Sequence, residues 1–219
     1  MLVSALTFNK YVCNHYLKGF GVRIADSVLL RADCQQVDPQ TVIDRLGLPL
    51  FVKPNDGGSS FGITKVKSVE ELQPAIDKAF AEGHEVVIES FVKGTEVTCG
   101  CYKVKGKEVV LPLTEVVTQN EFFDFDAKYN GQVQEITPAR ISPELTAKVQ
   151  QETSRIYDIL GAKGLIRVDY IIPEDGNPYL LEINTTPGMT ATSFIPQQVR
   201  AAGLSMTDVM NDIIDNELN

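Results

Sequence analysis

Apolar positions along the 219-residue chain change their spacing several times, and each change predicts an element. Residues 8–18 read as a helix, with Thr7 at its start and Gly19 and Gly21 stopping it. Residues 22–29 read as a strand. Asp38-Pro39 sets a cap before an N1 proline, opening a short helix that Gly47 closes. The apolar run from Leu48 to Val52 ends on Lys53-Pro54 and predicts a buried strand, then a polar loop and a second strand at residues 63–66. Ser68 with Glu71 forms a capping box ahead of Leu72, Ile76, Ala79 and Phe80, which share one helical face. Residues 86–88 make another buried strand. Residues 96–104 and 108–117 flank Lys105-Gly106-Lys107 as a hairpin. Ser142-Pro143 starts a long helix reaching Leu160, with Gly161 beyond it. Residues 165–172 and 179–183 form a strand pair, and two helices close the chain, the last capped by Ser205 with Asp208 three residues on. Strands that come as hairpins, with helices between the hairpins, predict an α+β layout and not a doubly wound parallel sheet. Lys93-Gly94-Thr95 divides it into two α+β units, 1–94 and 95–219.

Composition narrows the function classes. A formal net charge of -9 repels phosphate backbones and argues against a nucleic-acid partner, though local lysines can still hold a nucleotide. No apolar run approaches a membrane span and the first residues carry no basic segment, so no membrane partner and a cytoplasmic location are expected. Cys13, Cys34, Cys99 and Cys101 lack metal spacing and read as packing residues. His15 and His84 stand too far apart for a histidine-based site.

Four segments carry candidate chemistry. Lys53 ends an apolar strand and precedes Gly57-Gly58-Ser59-Ser60-x-Gly62, whose backbone N–H groups can reach phosphate oxygens; an ordinary hairpin loop is the competing reading. Arg167 and Asp169 alternate along one strand, and Glu182 and Asn184 along its expected neighbour, with apolar Val168, Leu181 and Ile183 between them. If the two polar faces coincide, they gather hard oxygen ligands suited to Mg²⁺; a solvated face with ion pairs is the alternative. In residues 185–193, Gly188 can offer an N–H to an oxyanion, and Ser193 can cap the next helix and bind a carboxylate. Residues 122–131 mix aromatic and charged side chains and read either as a lid over a ligand or as a structural loop.

Taken in order, Phe51-Val52-Lys53-Pro54 with Gly58-Ser59-Ser60-x-Gly62, Asp126-Ala127-Lys128-Tyr129, Arg167-Val168-Asp169 and Leu181-Glu182-Ile183-Asn184-Thr185-x-Pro187-Gly188-Met189-Thr190 resemble the D-alanine–D-alanine ligases of the ATP-grasp superfamily. The resemblance runs from about Ala5 to the C-terminus. It implies an ATP-grasp fold, in which two α+β subdomains with largely antiparallel sheets clasp a nucleotide, and a ligase joining two D-alanines through an acyl phosphate for peptidoglycan precursors. By position, Lys10, Lys53, Ser60 and Lys128 are implied to contact ATP phosphates. Glu89, Ser90, Phe91 and Val92 form the adenine-side hinge, with Ser90 where relatives carry lysine, and Glu96 holds the ribose. Asp169, Glu182 and Asn184 are implied to bind two Mg²⁺. Arg167 and Gly188 stabilise the oxyanion, Ser193 holds the second substrate's carboxylate, and Ser59 with Tyr129 closes the lid. Tyr129 next to Lys128 resembles enzymes making D-Ala-D-Ala, not D-Ala-D-lactate. The family's N-terminal domain has no counterpart here, which puts the substrate site, a family homodimer and turnover by this chain alone in question. A non-catalytic Mg-ATP-binding module and an ATP-grasp ligase for another carboxylate–amine pair are the alternatives.

Overall fold

A computed structural model describes residues 2–33, 38–57, 61–118 and 133–218. Two helices, α1 (Leu2–Phe8) and α2 (Lys10–Lys18), open the chain. β1 (Ser27–Arg31), α3 (Pro39–Leu46), β2 (Leu50–Pro54), β3 (Thr64–Val66), α4 (Val69–Phe80) and β4 (Glu85–Ser90) follow. Their strands form an antiparallel sheet ordered β1-β4-β2-β3. Val42 and Leu46 of α3, with Leu72, Ile76 and Ala79 of α4, bury one face of it against Leu50, Val52, Val86 and Ile88. Each such Val, Leu or Ile side chain taken fully from water contributes roughly 1.5–3 kcal/mol.

The larger sheet is built from β5 (Thr95–Val104), β6 (Lys107–Val110), β7 (Thr114–Thr118), β8 (Val133–Ile136), β9 (Ile166–Ile172) and β10 (Tyr179–Asn184). It runs β10-β9-β5-β7-β8 with β6 also on β5, and every ladder is antiparallel. Helix α5 (Pro143–Leu160) covers one face, packing Val149, Ile156 and Tyr157 on Val97, Cys99, Ile166, Val168 and Tyr170. On the other face, α6 (Phe194–Ala201) and α7 (Met206–Leu218) pack Ile195, Val199 and Val209 against Tyr102 and Leu111. Strand alternation therefore leaves Glu96 and Thr98 on β5, and Arg167 and Asp169 on β9, on the face that these last helices share.

Several elements differ from the sequence reading, each for a local reason. The helix expected over residues 8–18 is two helices: Asn9, not Thr7, is the cap, its side chain accepting from the Val12 N–H, and Thr7 is buried within α1. The strand expected over 22–29 is confined to β1, because Ile24 instead makes a lone parallel bridge to Leu180. Leu111-Pro112-Leu113 interrupts the long second strand of the hairpin, so that β6 and β7 both lie on β5. Ser68 makes no side-chain capping bond, and Glu71 instead accepts from the Lys67 N–H at 2.7 Å. The caps expected at Asp38, Ser142 and Ser205 form as read. Residues ahead of the smaller sheet pack with the larger one: Cys13, Leu17, Val22 and Ile24 lie in the same core as Val97 and Tyr170. The two sheets follow one another in sequence, β4 ending at Ser90 and β5 beginning at Thr95, and the leading helices share the core of the second. Gly94 itself lies against Ile172, whose carbonyl oxygen would sit 2.3 Å from an added Cβ, so the chain passes there only without a side chain.

Candidate active site

On β9 and β10 the two polar faces coincide. The register sets Glu182 beside Asp169 and Asn184 beside Arg167. Arg167 donates to both oxygens of Asp169 at 2.8 Å through Nε and a terminal nitrogen, and that terminal nitrogen lies 4.0 Å from Glu182. The Asn184 amide donates to Asp169 at 3.1 Å and to Glu182 at 3.3 Å. A β-bulge between Leu180 and Glu182 makes this possible. It buries Leu180 together with Ile183, where the sequence reading had placed Leu181 in the apolar set, and leaves Leu181 half-buried.

Glu96 adds a third carboxyl. Burial, then the charges of Asp169 and Glu182, push its pKa up to about 8, with Arg167 opposing the rise. No group of three His, Cys, Asp or Glu with metal-holding geometry exists among the described residues. The donor set is two carboxylates and an amide, which suits a hard cation that shares its remaining positions with phosphate and water. Asn184 satisfies both carboxylates with its NH₂ group; turned over, it offers its oxygen instead. The residues therefore fit Mg²⁺.

The lysines stand on the other side. Lys53 closes a buried ion pair with Glu89 at 2.6 Å, so Glu89, expected at the adenine hinge, also holds this lysine. Lys10 donates to the Gly57 carbonyl at 2.6 Å. Burial lowers the Lys10 pKa and the charge of Lys53 lowers it further, while Glu182, Glu89 and Asp56 raise it. Lys10 therefore feels both the smaller sheet's lysine and the larger sheet's carboxylate. Phe91 lies 5.9 Å from the Phe51 ring, and Lys65 sits 4.2 Å over its face. Ser90 points elsewhere: its hydroxyl donates to the Leu46 carbonyl at the end of α3. Val92 is half-buried in the segment leading to β5.

Near the start of α6, Ser193 occupies the cap position without making a side-chain capping bond. Its hydroxyl instead faces Thr190, 2.8 Å from that residue's hydroxyl and 3.2 Å from its N–H. An added Cβ on Gly188 would lie 2.9 Å from the same oxygen, and Arg167 sits 5.2 Å over the ring of Phe194. Arg167, Gly188 and Ser193 thus border one region. The expectations for Ser59, Ser60, Lys128 and Tyr129, and for Cys34, lie outside the described residues. Cys13, Cys99 and Cys101 are free and buried, and burial pushes each thiol up to about 12, so none is a nucleophile. No helix among the described residues is long and apolar enough to cross a membrane. Sequence reasoning missed Asn55 and Glu85, whose side chains tie the Lys10 helix to the end of β2.

Two antiparallel α+β units, with Lys53 on one, a carboxylate–amide–arginine group on the other and Lys10 on a leading helix, have the ATP-grasp fold. Solved structures of the same shape include the VanG D-Ala:D-Ser ligase from Enterococcus faecalis (TM-score 0.86, 32% identity, covering 98% of this chain and 62% of that one). Another is the D-alanine–D-alanine ligase from Bacillus anthracis complexed with ATP (TM-score 0.82, 31% identity, covering 100% and 68%). Residues 16–215 match the family model described as D-ala D-ala ligase C-terminus, and the chain belongs to that family. A curated relative, the D-alanine–D-alanine ligase of Parabacteroides distasonis, is 77% identical over 218 residues, which is 100% of this chain and 66% of the relative. The chain therefore spans about two thirds of that relative's length.

Proposed function

We propose that this chain carries the ATP- and metal-binding lobes of a cytoplasmic D-alanine–D-alanine ligase, with residues 1–94 and 95–219 as the two lobes and the leading helices packed on the second. The observation that carries this reading is the meeting of Arg167, Asp169, Glu182 and Asn184 in one hydrogen-bonded cluster, close enough to Lys10 for Glu182 to act on its charge. Relatives bearing the name D-alanine–D-alanine ligase at 77% and 68% identity support the substrate class.

In this reading Lys10 and Lys53 bind ATP phosphates, residues 89–92 line the adenine, and Glu96 accepts from a ribose hydroxyl. Asp169, Glu182 and Asn184 would hold two Mg²⁺, which would supply charge neutralisation at the phosphate oxygens. A first D-alanine carboxylate attacks the γ-phosphoryl group, ADP leaves, and an acyl phosphate remains. The amine of a second D-alanine then attacks the activated carbonyl; phosphate leaves and the amine proton passes to solvent or base. Arg167 and the Gly188 N–H face the developing oxyanion, and Ser193 takes the second carboxylate. The Thr190–Ser193 contact opens to allow that. Lys128, Tyr129, Ser59 and Ser60 belong to the same reading as phosphate and lid contacts.

ADP release from Mg-ATP, with and without D-alanine, tests it. D-alanine-dependent release supports the ligase reading. Bound nucleotide with no stimulation by D-alanine replaces it with a non-catalytic Mg-ATP module. The VanG neighbour, a D-Ala:D-Ser ligase, gives reason to include D-serine as second substrate, and the reading expects D-alanine to be preferred.

A further inference from the structure

Asn55 sits just beyond β2 and is fully buried, at 0% exposure. All its hydrogen-bonding groups are committed. Its N–H donates to the Glu85 carbonyl at 2.9 Å, and its own carbonyl accepts from the Lys10 N–H at 3.2 Å. Its Oδ1 accepts from the Tyr11 N–H at 2.9 Å, and its Nδ2 donates to a Glu85 carboxylate oxygen at 2.6 Å. Only one orientation of the amide serves both side-chain bonds, since Tyr11 offers a donor and Glu85 an acceptor.

These bonds fall on a helix end that has nothing else to use. Lys10 and Tyr11 begin α2, and their N–H groups have no partner within the helix. Asn55 takes both, and Asn9 takes the third, from Val12. Glu85 supports the pair of asparagines. Its carboxylate receives Asn55, Asn9 at 3.4 Å and Arg31 at 2.8 Å, and it places a negative charge by the positive end of α2. Arg31, burial notwithstanding, and then the two asparagines hold the Glu85 carboxyl below the usual carboxylate range.

We propose that Asn55, braced by Glu85, is a positioning residue that fixes the first turn of α2 so that the Lys10 ammonium stands beside Lys53 and Gly57. The proposal rests on the reading of Lys10 and Lys53 as phosphate ligands. Two ammonium groups repel each other, so a site that needs both must be held together by something other than the lysines themselves. Asn55 lies two residues after Lys53 and two before Gly57, whose carbonyl takes the Lys10 ammonium. One residue, through its backbone carbonyl and its amide, therefore sets the lysine of the strand, the lysine of the helix and the start of the glycine loop in a common frame.

The test is a double-mutant cycle on the full chain, with Asn55→Ala, Lys10→Met and the pair, reading the Kd for Mg-ATP and for adenosine by calorimetry. Asn55→Ala should weaken Mg-ATP about tenfold, the size of one lost charged contact, and leave adenosine binding unchanged. In the Lys10→Met background it should cost nothing further. Equal loss in both backgrounds, or an equal loss for adenosine, overturns the proposal, because a general structural defect would do either. Should Asn55→Ala not fold, Glu85→Gln takes its place in the cycle with the same expected pattern and a smaller loss. If the unaltered chain binds no Mg-ATP, the functional reading falls, and the positioning claim is then decided by amide exchange. Faster exchange at Tyr11 in Asn55→Ala, with the rest of α2 unchanged, upholds it; unchanged exchange there overturns it.

Discussion

The two sheets handle their charged residues in opposite ways. Beside the smaller sheet, each lysine of the site has an acceptor of its own: Glu89 for Lys53 and the Gly57 carbonyl for Lys10, both at 2.6 Å. On the larger sheet a single guanidinium serves Asp169 fully and reaches Glu182 only at 4.0 Å, while Glu96 is pushed up to about 8. Paired cations are satisfied within the protein. The crowded carboxylates share one guanidinium and one amide, and their mutual repulsion is relieved when positive charge arrives. In the proposed reading the smaller sheet contributes stability as well as binding, and the larger sheet holds binding capacity at a cost to the ligand-free fold.

Glu182→Gln strikes the crowded side and should have the largest effect on ligand binding. Mg-dependent ATP binding should fall by about 100-fold or more, as for loss of a metal ligand's support or of the ligand itself. The ligand-free variant should melt a little higher, by about 2 °C, because one repelling charge is gone. Calorimetric titration and thermal melts read both. Retained affinity, or lost affinity together with a lower Tm, would contradict the idea of a carboxylate kept for its ligand.

Lys53→Met strikes the paired side, and here stability should suffer with binding. Removing one partner leaves Glu89 buried and unpaired, a cost of about 3–5 kcal/mol in denaturant unfolding. Adding Glu89→Leu should recover most of that stability without restoring ATP affinity, since the two positions are coupled through one bond. Two losses that simply add would show that the pair is not what holds them.

Gly94→Ala probes the passage between the sheets. Its Cβ would meet the Ile172 backbone, which cannot swing aside as a side chain can, so a loss of about 2–3 kcal/mol is expected. A variant as stable as the parent would mean that the junction yields easily.

How far the sequence discloses this arrangement depends on distance along the chain. Asp38, Ser142 and Gly161 mark helix ends through bonds to residues within a few positions, and they form where read. Arg167, Asp169, Glu182 and Asn184 are legible because period-two alternation on neighbouring strands leaves them few places to go. The bulge at Leu181 is not legible, because alternation says nothing about where a register slips. Asn9 splits an otherwise continuous helical pattern by serving as a cap, and cap preference was the available signal. Ser193 has the residue type and position of a cap, yet a nearer hydroxyl, that of Thr190, competes for it. Asn55 and Glu85, 30 residues apart, meet only after the sheet is assembled, so no local pattern announces them.

A pH comparison within the larger sheet gives the smallest effect and the sharpest contrast, because Glu115 is a carboxylate of that sheet with an arginine to itself. Arg140 donates to it through Nε and a terminal nitrogen, both at 2.9 Å, and through its backbone N–H at 3.1 Å. The Arg140 side chain holds the Glu115 carboxyl below the usual range, against the opposing effect of burial. An unfolded glutamate titrates at about 4.3. The folded state thus gives up the Glu115 proton more readily than the unfolded state, and the resulting stability is present above that value and lost as pH falls through the lower, folded one. Glu115→Gln should lower Tm at pH 7 by about 2 °C, a small figure because Arg140 is largely exposed, and the difference should vanish near pH 3. Glu96 has the opposite sign. Folded, it keeps its proton to about 8, so between pH 4.3 or so and 8 the folded state binds the extra proton, and ligand-free stability falls as pH rises. Glu96→Gln should therefore flatten the metal-free Tm profile between about pH 4.3 and 8, while Glu115→Gln flattens it below about pH 4.3. Profiles that shift on the same side would mean that the two carboxylates do not differ as the hydrogen bonds around them say they must.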